Sequence, residues 1–121
     1  MVQFIAWADI VERTIIPGFH GRFIHSEHMT FALWRLEAGA VLPRHSHPHE
    51  QVVHVQSGEL EITLEGAPNL LRAGTVLVIP PHAVHEGIAR TEVHVMDVFS
   101  PVREDYRDGG GAGILAGISD S

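Results

Sequence analysis

The chain has 121 residues, a formal net charge of −7 and no cysteine. The length suits one domain with a single core, and the acidic balance without an arginine cluster argues against nucleic acid, which needs a basic face. Disulfides and thiolate chemistry are excluded, so any metal site must use histidine, carboxylate or amide ligands.

Two further features of composition bear on chemistry. All eight basic residues are arginine, which removes Schiff-base catalysis from a lysine. Ten histidines are present, four of them between His45 and His54, and His-rich tracts suggest metal.

Taken in chain order, Met1 to Asp9 lacks the basic and long apolar regions of a signal peptide. No apolar run approaches the ~20 residues that span a bilayer. A cytoplasmic protein without a membrane segment is expected. Ala8 to Ile15 is expected to form one short helical turn capped by Asp9. Met1 to Phe23 carries Phe4, Ile5, Trp7, Ile15, Ile16 and Phe19. This segment either covers its own barrel or crosses to a partner.

Short strands then follow at the spacing of a sandwich or barrel. They are expected at Gly21–His25, Thr30–Leu36, Val41–His45, Gln51–Gln56, Leu60–Leu64, Asn69–Arg72, Thr75–Ile79, His85–Ala89 and Glu92–Phe99. Ser57-Gly58 reads as a hairpin turn and Glu65-Gly66-Ala67-Pro68 as the next break. Pro80-Pro81 ends the most apolar strand, because proline lacks the donor that a ladder needs. Residues 1–108 are assigned to one barrel. The glycine-rich stretch 109–121 is expected to be a flexible tail.

The segment Gly39 to Gln51 is where metal chemistry is written. Side chains alternate faces along a strand, so His45 and His47 point the same way and form a ligand pair. Pro48 breaks the strand, and Gln51 opens the next one where it can return to the same site. Glu50, its neighbour, faces the other way and is the alternative ligand. Further on, Pro80-Pro81 lets a strand carrying His85 start beside the earlier pair.

At these residues the chain resembles the cupin superfamily. Gly39, His45, His47, Gln51 and Gly58 fall at the positions of the family's first motif. Gly74, Pro80 and His85 fall at those of the second, with His82 in place of a glycine and Ala89 in place of an asparagine. The resemblance implies an all-β, single-domain cupin barrel, a double-stranded β-helix or jelly roll. It also implies one divalent transition metal ion (zinc, nickel, manganese, iron or copper) held by His45, His47, Gln51 and His85. Gln51 stands where glutamate is usual. Four neutral ligands leave the ion its full charge, which favours Lewis-acid chemistry and an anionic substrate.

Near the end, Val93, Val95, Asp97 and Phe99 share one strand face. If that face is interior, a carboxylate enters an apolar barrel, and a charge buried alone is costly. Arg103, past Pro101, can fold back over the barrel mouth and bind a carboxylate bidentately. The ending and the His-Ser-His-Pro-His-Glu-Gln run together resemble the small cupins of the pectin-degradation type, which linearise unsaturated uronates. That resemblance implies Asp97 as acid/base residue, Arg103 as holder of the sugar carboxylate and Phe99 as a surface for the sugar. The bland alternative is a structural ion pair between Asp97 and Arg103.

Three readings follow. The first is a non-redox enzyme acting on a small acidic sugar. The second is a non-catalytic small-ligand sensor. The third is a metal-dependent dioxygenase, which Gln51 in place of a carboxylate weakens. A small anionic ligand is the expected partner. A homodimer is also expected, since small barrels gain by pairing edge strands.

Overall fold

A computed structural model describes residues 2–107. Ten strands form two antiparallel sheets. The strands are β1 Arg13–Ile16, β2 Phe19–His25, β3 Thr30–Leu36, β4 Val41–His45, β5 Glu50–Ser57, β6 Glu59–Leu64, β7 Ala67–Arg72, β8 Val76–Ile79, β9 His85–Ala89 and β10 Val93–Ser100. One sheet has the order β1-β2-β3-β10-β5-β8 and the other β4-β9-β6-β7. This is the expected all-β jelly roll, with the chain passing back and forth between the two sheets from β3 to β10 and only β6 and β7 following one another in the same sheet along that stretch. The tail 109–121 lies outside the described residues.

Strict alternation builds the inner wall. On β3, Thr30, Ala32, Trp34 and Leu36 are buried while Phe31, Leu33 and Arg35 are not. On β10, Val93, Val95, Asp97 and Phe99 are buried, and on β5 Gln51, Val53 and Val55. Because β10 runs between β3 and β5, Asp97 lies between Ala32 and Val53, and Phe99 between Thr30 and Gln51. Large aliphatic and aromatic side chains complete this face, each contributing about 1.5–3 kcal/mol when fully buried.

The expected helical turn over Ala8–Ile15 is corrected. Only a 3₁₀ turn at Trp7–Asp9 forms, and Asp9 lies within it; the capping position is Ala6, whose side chain makes no cap. Residues 13–16 are instead β1. Thr14, Ile15 and Ile16 are β-branched, which favours a pleated surface, and Pro17-Gly18 folds them back on β2, with Arg13 opposite Gly21. The apolar N-terminal segment therefore divides. Ile16, Phe19 and Phe23 enter the core, while Val2 and Phe4 stand exposed. A one-turn helix, α1 Glu104–Arg107, closes the described chain.

Two turns have special backbone demands. Gly58 joins β5 to β6 at φ 84°, and a Cβ there would lie 2.1 Å from the carbonyl oxygen of Glu92. The turn Pro80–Ala83 is closed by a bond from Ala83 N–H to Pro80 O of 3.2 Å, with His82 at φ 67°. That is the left-handed position a type II turn reserves for glycine.

Candidate metal centre and cavity

His45 on β4 and His85 on β9 are direct cross-strand partners in the four-stranded sheet. His47 sits in the loop that carries the chain across to β5, and Gln51 lies near the start of β5. The two loops are tied by a bond from His82 N–H to His47 O of 2.7 Å. The three imidazoles come together as the spacing implied, with ligand atoms all within 4.8 Å of one another. All three are buried, as is Gln51, whereas Glu50 is exposed and faces away. Among the two candidates for the fourth ligand, only Gln51 points at the cluster.

The tautomers are set by the backbone. His45 Nδ1 lies 2.8 Å from Pro43 O, His47 Nδ1 3.1 Å from His49 O, and His85 Nδ1 2.9 Å from Ala83 O. A carbonyl only accepts, so each Nδ1 carries the proton and each Nε2 presents a lone pair, the arrangement that metal-binding histidines use. Burial, and for His45 the nearby His85, hold the imidazoles neutral. His45 is pushed down to about 4 and His47 to about 3, and His85 is also lowered.

This donor set fits a cation. His85 Nε2 is buried without a hydrogen-bond partner. His47 Nε2 and Gln51 Oε1, both acceptors, face each other at 3.0 Å. Two ligand atoms at right angles, each about 2.1 Å from one ion, lie about 3 Å apart.

Beyond the imidazoles, the cavity is walled by Leu42, Val53, Leu60, Ile62 and Val95, with Asp97, Phe99, Arg103 and Tyr106 also facing it. Its volume is about 40 Å³, room for an ion and a few waters. Asp97 enters from β10 as its alternation requires. Trp34 Nε1 donates to Asp97 Oδ2 at 3.0 Å, while Oδ1 is buried without a partner. Burial raises the Asp97 carboxyl to about 7, although the Gln51 amide and the Trp34 indole partly oppose it.

Arg103 does fold back into the cavity and is 2% exposed. Its ion pair, however, is made with Asp105 rather than Asp97. Nε donates to Asp105 Oδ1 at 3.0 Å and Nη2 to Oδ2 at 2.9 Å. The guanidinium carbon lies 4.9 Å from the Phe99 ring centre and 4.3 Å from that of Tyr106. Phe99 thus lines the cavity and also carries Arg103 on its ring. Sequence reasoning did not single out Trp34, Asp105 or Tyr106. The alternation of β3 places Trp34 inward, and an indole N–H buried there needs an acceptor.

Comparison with known proteins agrees with this picture. The family model described as Cupin domain matches residues 32–99. The chain is 31% identical over 70 residues to the pectin degradation protein KdgF of Dickeya dadantii, covering 56% of this chain and 64% of that protein, just under two thirds of its length. Its structure resembles that of KdgF from Halomonas sp. with a TM-score of 0.82 and 28% identity, covering 88% of this chain and 99% of the other. The fold is shared with an oxalate decarboxylase of Bacillus subtilis that has Mn(II) centres, at TM-score 0.71 and 19% identity, covering 80% of this chain and 29% of that one.

Proposed function

The chain belongs to the cupin family, and from that premise we propose that it is a non-redox, metal-dependent enzyme that linearises unsaturated uronates. The observation that carries the reading is Asp97. It is a buried carboxyl with one oxygen held by Trp34, the other unpartnered, and a pKa near neutrality, in a cavity shared with His45, His85 and one arginine. Such a group is poised to give and take a proton at neutral pH.

His45, His47, His85 and Gln51 would hold one divalent transition metal ion. When bound, the ion supplies Lewis acidity at a ring or carbonyl oxygen of the sugar. Arg103 meets the substrate carboxylate, and Phe99 offers an apolar edge to the ring. Asp97 moves the proton. The apolar walls exclude water and strengthen each of these contacts. The likeness to two KdgF proteins, one of them described as a pectin degradation protein, supports the substrate class. A monosaccharide is larger than the cavity, so side chains at the mouth shift when it binds.

The test is turnover of 4,5-unsaturated galacturonate by protein of known metal content, followed by loss of the substrate's absorbance. Metal-dependent loss that also needs Asp97 is the expected result. Metal bound at the histidine cluster with no turnover would discard the uronate assignment.

A further inference from the structure

Arg103 is the sole cation among the residues lining the cavity, yet half of its hydrogen-bonding fork is already taken. A guanidinium has two edges that match a carboxylate, the Nε–Nη2 side and the Nη1–Nη2 end. Asp105 occupies the first with both of its oxygens. The rings of Phe99 and Tyr106 fix the guanidinium plane, and Arg103 N–H donates to the buried Thr30 Oγ1 at 2.8 Å. Asp105 itself is absent from the cavity wall, and its side chain is 19% exposed. It therefore grips Arg103 from outside the cavity.

We propose that Asp105 is the positioning residue of the anion site: it takes the side edge of Arg103 and so turns the Nη1 end toward a ligand carboxylate. This rests on the uronate reading for the identity of the ligand, but the geometry calls only for a small carboxylate. A flexible arginine would lose conformational freedom on each binding event, and a guanidinium held on one edge and packed against two rings has little left to lose.

The experiment uses the full-length, metal-loaded chain and three probes, namely galacturonate, galactose and acetate. Calorimetry is expected to show Asp105→Asn binding galacturonate and acetate at least tenfold more weakly than the parent, with galactose unmoved. With unsaturated galacturonate, KM should rise by more than kcat falls. Asp105→Glu keeps the charge and should fall between the two. A folded Asp105→Asn protein that binds galacturonate as tightly as the parent, or more tightly, overturns the proposal, because Asp105 would then be idle or a competitor. If Asp105→Asn does not fold, an Asp105→Glu protein indistinguishable from the parent overturns it equally. Failure of the parent to bind either carboxylate removes the anion site and the inference with it. Acetate binding that depends on Asp105, without uronate turnover, supports the inference and removes only the uronate reading.

Discussion

Trp34 and Asp97 meet across adjacent strands, the indole N–H on one carboxylate oxygen at 3.0 Å and the other oxygen left without a partner. The pairing gives Asp97 a fixed orientation and a single free oxygen. Asp97→Asn should keep its metal and lose at least about a hundredfold in turnover, the scale of general acid–base catalysis. Trp34→Phe keeps an aromatic ring and removes the donor, and should lose about tenfold, the equivalent of one hydrogen bond to an ionisable group. Metal analysis alongside steady-state rates checks both. Equal activity of Asp97→Asn and parent would remove Asp97 from the chemistry.

The same carboxyl gives the metal-free protein an unusual pH profile. Its folded pKa, about 7, lies above its ordinary value of 3.8, so the protonated form suits the fold, and this contribution is lost as pH rises from the ordinary value to about 7. The histidines act in the opposite sense. With folded values of about 4 for His45 and about 3 for His47, they contribute stability above the ordinary 6.5 that is lost as pH falls below it. The stability of the chelated protein should therefore rise with pH to about 7, since the three lowered histidines outweigh one raised carboxyl, and level off above it. Asp97→Asn should climb more steeply over the same range. Denaturant midpoints from pH 5 to 8 decide; a parent profile at least as steep as that of Asp97→Asn would contradict the sign.

Neutral imidazoles also set when protons compete with the ion. Unshifted histidines would begin to release metal near pH 6.5, whereas these should retain it to about pH 5. Metal content after dialysis at stepped pH measures this.

His82 stands at φ 67° in an exposed turn, where a side chain costs ~1–2 kcal/mol. His82→Gly should stabilise the protein by about 1 kcal/mol, because the strain relieved exceeds the entropy added to the unfolded chain. Thermal melts at fixed metal content would show it; a lower melting temperature would mean the His82 side chain has a use.

The histidine cluster was legible in the sequence because its residues sit at fixed offsets around strand ends. Gln51 against Glu50 follows from alternation on β5, whereas His47 lies in the loop beyond β4 and reaches the cluster by the path of that loop. Inward-facing Asp97 follows from alternation too. What joins residues far apart in the chain was not legible. Trp34 reaches Asp97 across 63 positions, and no local pattern announces such a pair. The Arg103–Asp105 pair is only two positions apart, but it depends on a turn of helix formed where propensity is weak. Strand β1 was missed because a short run such as Thr14-Ile15-Ile16 suits helix or strand until a partner strand claims it.

The chelated protein should melt about 10 °C lower than the loaded one, given an ion at a hundredfold excess over its dissociation constant. Calorimetry with and without chelator tests this, and identical traces would show that the ion does not bind the folded state preferentially.

His45 and His85 belong to the four-stranded sheet and Gln51 to the six-stranded one, with His85 lying 34 residues beyond Gln51. An ion held by all of them is a clasp across the open end of the barrel. Its loss slackens the join between the sheets as well as silencing the chemistry. In a cell short of the right metal, the shortfall would then register as fewer surviving molecules, cleared by proteolysis, rather than as a standing pool of intact but idle ones.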